Sequence, residues 1–199
     1  MFRNILLSKY INNKESPMNY GKSQLVAMLV KIDEEAALVL DVVDQRFPVV
    51  IVGGSAFLLH DLTKRPTTHD VDVLSCHEAL RGVISNYRAV NRAVSAYMDQ
   101  IPYNFEDRLI PVGIETKAVE FLTPSFEDLA VMKLYGWRPN DREDLDSPEF
   151  LSKLDWDLLD RLVYDPEEAQ ASALSQRRYR EMASIYEDYA KEHGHEPHV

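Results

Sequence analysis

Apolar positions along the chain change period several times, and each change predicts an element. From Gln24 to Gln45, Leu25, Met28, Leu29, Ile32, Ala36, Val39, Leu40 and Val43 recur near every 3.6 residues, the spacing of an amphipathic helix. Pro48 ends the linker into an apolar β-branched run, Val49–Val52, then Gly53-Gly54-Ser55 and an apolar helical stretch, Ala56–His60. A second run, Val71–Leu74, reads as another strand. Helical periodicity resumes at about His77–Tyr97, and two strands follow near Arg108–Val112 and Lys117–Leu122, separated by a turn at Gly113. Beyond Pro124 the pattern predicts helices at 125–137, 141–153, 155–163 and a long polar one at 166–192. The result is an α/β (α+β) fold: a small mixed sheet flanked by helices, with a C-terminal helical cap. We divide it into an N-terminal arm at 1–22, a core at 23–123 and a helical region at 124–199.

The chemistry concentrates where the strands meet polar residues. Asp70 and Asp72 bracket Val71, so strand alternation sends both carboxylates to one face. Two carboxylates that close repel unless a cation lies between them, and an oxygen-rich pair suits Mg²⁺, with Mn²⁺ as the alternative. The Gly53-Gly54-Ser55 turn between a strand and a helix is a place where backbone N–H groups can hold a phosphate. Alone, a Gly-Gly turn or an Asp-x-Asp pair is commonplace. Strand, turn, helix and a second strand carrying two aspartates in an apolar run together read as a metal-dependent phosphoryl or nucleotidyl transfer site.

These residues resemble the nucleotidyltransferase superfamily that includes DNA polymerase beta, whose signature is hG[GS] at a helix start followed by a strand with [DE]h[DE]h. Gly53, Gly54, Ser55, Asp70, Val71, Asp72 and Val73 match it. The resemblance is closest to the stand-alone branch with the AbiE-type and MenT-type toxin enzymes. There an Arg-x-Thr run precedes the carboxylates; Thr68 is in register, while Arg65 falls one residue early and Pro66 takes the Arg place. The stretch PSFEDLAVMKLYGWRPNDREDL at 124–145 also resembles that branch, with Lys133, Arg138, Asp141 and Asp144 in matching places. Ser125 is an N-cap candidate there, and Asp141 can cap the following helix.

The resemblance implies roles. Asp70 and Asp72 hold the metal, Gly53, Gly54, Ser55, Arg65, Thr68 and Arg138 hold the nucleotide, Lys133 contacts its phosphates, and Asp144 positions or deprotonates the attacking hydroxyl. Glu120, on the strand before Pro124, is the candidate for a third metal carboxylate. The substrate is then an NTP, and the acceptor a tRNA 3′ end or a protein side chain. A toxin role implies a cognate antitoxin. A degenerate module that binds nucleotide or a partner without chemistry is the rival reading.

Composition narrows the rest. With 199 residues the chain can bury a sizeable core, and no run nears the ~18 apolar residues of a membrane span. The single cysteine, Cys76, excludes internal disulfides and a cysteine metal cluster, as expected for a cytoplasmic protein. The first 17 residues read as a loosely packed arm or a leader, with Met18 a natural alternative start, rather than as an export signal. The net charge of −11 is uneven: residues 1–140 hold 15 basic and 17 acidic side chains, and residues 141–199 hold 7 and 16. The catalytic half is therefore nearly neutral. Arg81, Arg88 and Arg92 recur at helical spacing, as a phosphate grip or a solvated face. His193, His195 and His198 read as a polar terminus, and the stripe Tyr179, Met182, Ile185, Tyr186, Tyr189 as packing or a partner contact.

Overall fold

The run Phe47–Val52 is the centre of the molecule because its apolar side chains can be covered on both faces; Val49 to Val52 are all buried. In the computed structural model, which describes residues 19–40 and 45–198, this strand, β1, lies third in a five-stranded mixed sheet of order β3-β2-β1-β5-β4. The strand β2 is Val71–Cys76, β3 is Val90–Asn91, β4 is Ile110–Pro111 and β5 is Val119–Thr123. Strand β1 runs antiparallel to β2 and parallel to β5, β3 is parallel to β2, and β4 antiparallel to β5. A register shift in the β1–β2 ladder falls between Val50 and Ile51 and leaves Val52 opposite Asp72.

Helix α1 is Lys22–Leu40, and it packs on β5 and on two short helices, α2 (Gly53–Leu59) and α3 (Arg81–Ile84). It buries Leu25, Leu29, Ile32 and Ala36 as the periodicity requires. The predicted helix ran on to Gln45; Asp41 to Asp44, with Val43, lie outside the described residues, and Gln45 is not helical. Buried Asp33 on α1 accepts the backbone N–H groups of Lys117, Ala118 and Val119, which fixes the entry of β5 to the helix. Of the arm predicted at 1–22, residues 1–18 are likewise outside the described residues; Tyr20 pairs with Thr68 through an antiparallel bridge, and Lys22 already belongs to α1.

The C-terminal part is helical as expected, in more pieces than predicted: α4 (Phe126–Gly136), α5 (Pro139–Leu145), α6 (Pro148–Leu151), α7 (Trp156–Tyr164), α8 (Ala169–Ser172) and α9 (Gln176–Glu192). Ser125 caps α4 by accepting the Asp128 N–H, and Trp137 ends it in a left-handed conformation. Pro139 opens α5 at its first turn, where its missing N–H costs nothing. Asp141 is not the cap: Arg138 holds that position, and Asp141 folds back to accept the Arg138 N–H. The predicted helix at 166–192 breaks because Ser175 caps α9 by accepting the Arg178 N–H.

The region 77–97 departs most from expectation. In place of one helix it holds a 3-10 turn at Glu78–Leu80, the four-residue α3, strand β3 and a 3-10 segment at Ala93–Gln100. Gly82 and Asn86 are poor helix formers, and Val90–Asn91 gains hydrogen bonds by pairing with β2. Arg81, Arg88 and Arg92 therefore do not form one helical stripe. Similarly, Arg108 is in a 3-10 turn rather than a strand, and its guanidinium joins buried Asp128 to Glu168.

The C-terminal histidines are packed. His195 stacks on Trp156 and bonds Asp160, which also accepts the Tyr186 hydroxyl and the His198 N–H. Tyr186, Tyr189 and Met182 of the α9 stripe are buried in the core. Among the described residues no helix is long and apolar enough to cross a membrane.

Candidate active site

Where β1 hands over to α2, the chain must turn beside the carboxylate strand. Gly53 has φ +66°, a conformation that disfavours any side chain, and a Cβ there would overlap Asp72 Oδ2. A Cβ on Gly54 would come within 2.9 Å of Arg65 Nη2 and 3.3 Å of Thr68 Oγ1. Gly53 is thus demanded by its own backbone, whereas a side chain at Gly54 would press on the movable end of Arg65. Ser55 stitches the turn together. Its hydroxyl donates to Val52 O at 2.8 Å and accepts the Asp72 N–H at 3.3 Å, and its side chain is fully buried. The Ser55 hydroxyl is therefore occupied within the turn.

Asp70 and Asp72 come together as expected, on the wall of a cavity of about 510 Å³ that also includes Gly53, Gly54, Lys133 and Arg138. Burial, with the neighbouring Asp70 carboxylate, pushes the Asp72 carboxyl up to about 6. Among the described residues its one side-chain hydrogen bond comes from Asn91 Nδ2, at 3.0 Å. Asn91 was not foreseen, because its place beside Asp72 depends on β3, which the helical reading of 77–97 concealed.

Beside the carboxylates is an ionic cluster that is buried except for Arg138, whose side chain is 78 % exposed. Lys133, 5 % exposed, donates to Asp144 Oδ2 at 2.6 Å and Asp141 Oδ1 at 3.2 Å, and its ammonium lies 4.6 Å from the Phe57 ring centroid. Arg65 embraces Asp144 through Nε (2.7 Å) and Nη2 (2.5 Å), and Thr63 adds a fourth hydrogen bond at 2.7 Å. Asp144 is fully buried and lines neither this cavity nor the adjoining one, so it orients Arg65 and Lys133 and does not face an acceptor. Arg138 donates to Asp141, whose carboxyl is shifted down: burial opposes this, but Arg138 and Lys133 outweigh it. Three cations against two anions leave this cluster with one net positive charge.

A smaller adjoining cavity of about 360 Å³ is lined by Gly54, Arg65, Thr68, Lys133 and Arg138 among others, so the predicted nucleotide residues apart from Ser55 gather around two connected spaces. Glu120 does not join them. It lies opposite Pro48 at the far end of β1, pairing at 3.9 Å with Arg46. The strand was foreseen, but its register carries Glu120 away from Asp72, which stands opposite Val52. No group of three or more His, Cys, Asp or Glu side chains suited to a metal occurs among the described residues. The two aspartates do fit a hard cation that completes its shell with water and substrate oxygens: they are close, acidic and short of neutralising partners.

A mixed sheet with one aspartate on the strand after a Gly-Gly turn and another just before it, sharing a cavity with cationic residues of two helices, fits the nucleotidyltransferase class. The chain belongs to the family described as nucleotidyltransferase of unknown function (DUF6036), whose profile matches residues 27–193. No curated protein and no solved structure matches the chain significantly.

Proposed function

We propose that this protein transfers a nucleoside monophosphate from an NTP to an acceptor hydroxyl, and that it depends on Mg²⁺. The observation supporting this reading is the meeting of opposite charges in one cavity: Asp70 and Asp72 line it together with Lys133 and Arg138, and Arg65, which completes the net positive cluster, lines the adjoining cavity. Asp70 and Asp72 are the residues that would hold Mg²⁺, which when bound neutralises charge on the transferred phosphate. Lys133 and Arg138 attract the outer phosphates, and Gly53 and Gly54 let them approach the backbone. The acceptor oxygen forms a bond to the α-phosphorus, the bond from that phosphorus to the β-bridging oxygen breaks, and pyrophosphate leaves with the electron pair. The acceptor proton passes to solvent. Asp144 contributes by keeping Arg65 and Lys133 in place.

The toxin-branch motifs support a tRNA 3′ end as acceptor, with a protein side chain as the alternative of the same chemistry. The test is purified protein with Mg²⁺ and each α-³²P-labelled NTP, with and without total tRNA, resolved on RNA and protein gels beside Asp72→Ala. Label in RNA or protein that disappears in a folded Asp72→Ala variant is the expected result. Equal labelling by that variant refutes the mechanism. Growth arrest on expression, lost with the same substitution, is the expected mark of a toxin.

A further inference from the structure

The large cavity continues past the charged groups into an end that phosphate chemistry does not use. Its wall there is Tyr97 and Gln100 from the 3-10 segment, Met132 and Tyr135 from α4, and Arg178 from α9. Two polar groups in this wall lack partners. Gln100 is 7 % exposed and lines the cavity, yet its carboxamide makes no hydrogen bond among the described residues. The Tyr135 hydroxyl is buried and also unpartnered. Leaving a buried polar group unpaired typically costs ~1–3 kcal/mol, which a ligand that reaches the Tyr135 hydroxyl and the cavity-lining Gln100 carboxamide would recover. The remaining groups are flat or stack on flat groups. Tyr97 lies at a break in the 3-10 segment (φ −105°, ψ 21°) and is half-exposed. The Arg178 guanidinium lies 5.8 Å from the Tyr135 ring centroid, with Asp99 as its ion-pair partner at 3.7 Å.

We infer that this end is a nucleobase subsite, in which the Gln100 carboxamide reads the hydrogen-bonding edge of the base while Tyr97 and Arg178 cover its faces. The assignment rests on the nucleotidyl-transfer reading. A carboxamide offers one acceptor and two donors in a plane, which matches a heteroaromatic edge carrying both and is poorly suited to a phosphate. Aromatic rings and guanidinium planes stack on bases at little entropic cost. A cavity of about 510 Å³ has room for a nucleoside beside its phosphates. Selectivity for the nucleotide is thus set by Gln100, and α9 supplies a wall of the substrate site through Arg178.

The test is equilibrium binding by calorimetry on the full chain with Mg²⁺, comparing ATP, GTP, CTP and UTP with inorganic tripolyphosphate, for the native protein, Gln100→Ala, Gln100→Glu and Arg178→Ala. The native protein should prefer at least one NTP by about tenfold over the weakest and over tripolyphosphate. Gln100→Ala should flatten that preference to within about threefold, Gln100→Glu should reorder it, and Arg178→Ala should weaken all four NTPs, each without moving tripolyphosphate affinity. Arg178 is 47 % exposed in its side chain, so its removal reports on the subsite even where a Gln100 variant does not fold. An unchanged ranking in folded Gln100 variants, or NTPs binding no tighter than tripolyphosphate, overturns the subsite alone. Failure of the native protein to bind both NTPs and tripolyphosphate overturns the transfer reading as well.

Discussion

Replacing Asp72 by Asn should stabilise the metal-free protein at neutral pH. Burial and Asp70 raise the Asp72 carboxyl from 3.8 to about 6, so the folded state holds a proton that the unfolded chain has already released between those values. For a carboxyl raised in this way, stability is greatest below the unfolded value and falls as pH rises through the folded one. At ~1.4 kcal/mol per pH unit the penalty at neutral pH is at most ~3 kcal/mol, and partial solvent access reduces it to about 1–2 kcal/mol. Asp72→Asn removes the charge while its side-chain oxygen can still accept from Asn91 Nδ2. In EDTA, urea denaturation at pH 7.5 should show the variant more stable by about 1–2 kcal/mol, or roughly 3–6 °C in Tm. The advantage should shrink by about half at pH 5, and added Mg²⁺ should stabilise only the native protein. A variant no more stable than the native protein at pH 7.5, or a gain independent of pH, refutes the idea that these carboxylates are held in uncompensated repulsion.

Other outcomes follow from the same geometry. Gly53→Ala should destabilise the protein by about 1–3 kcal/mol in chemical denaturation, because φ is +66° and the new methyl overlaps Asp72 Oδ2. Lys133→Met should cost about 3 kcal/mol, since it strands Asp141 and part of the demand of Asp144 in the interior; a loss under 1 kcal/mol would mean that Arg65 and Arg138 suffice. Glu120→Gln should leave nucleotide transfer and Mg²⁺ dependence unchanged, because Glu120 pairs with Arg46 and lies opposite Pro48, at the end of β1 away from Val52 and Asp72. Removing residues 194–199 should lower stability by about 1–3 kcal/mol, measured by thermal melting, as Asp160 loses His195 and the His198 N–H.

What the sequence made legible was local. The glycine turn and the aspartate pair were readable because close approach and alternation act within a few residues of Gly53 and Asp72. The cap at Ser125 was readable for the same reason. The segment 77–97 was not, because Leu80, Val83, Ile84 and Val94 are all buried and their spacing mimics one helix face, although they belong to three different short elements. Glu120 shows the complementary failure: the strand was identified, while its register against β1 is set by pairing between residues 72 apart, such as Pro48 and Glu120. Asn91, Gln100 and Arg178 carry no local signature, and only the packing of β3, the 3-10 segment and α9 around one cavity brings them to it.

The aspartates in this site also show why residue type alone cannot assign a role. Asp144 and Asp72 were both expected to be catalytic; Asp144 is fully buried and Asp72 partly so. Asp144 receives four hydrogen bonds, three of them from cations, so its charge is satisfied by the protein and it has nothing left to offer a ligand. Asp72 receives one side-chain hydrogen bond, from a neutral amide, and faces another carboxylate. The first arrangement satisfies its charge within the empty protein, whereas the second costs stability at neutral pH, a cost that a proton or a bound cation relieves. A fold that surrounds one carboxylate with three charged donors could have done the same for the other. That it leaves Asp70 and Asp72 short of partners, on a cavity that Lys133 and Arg138 also line, is the physical reason to place the chemistry at that pair and the scaffolding at Asp144.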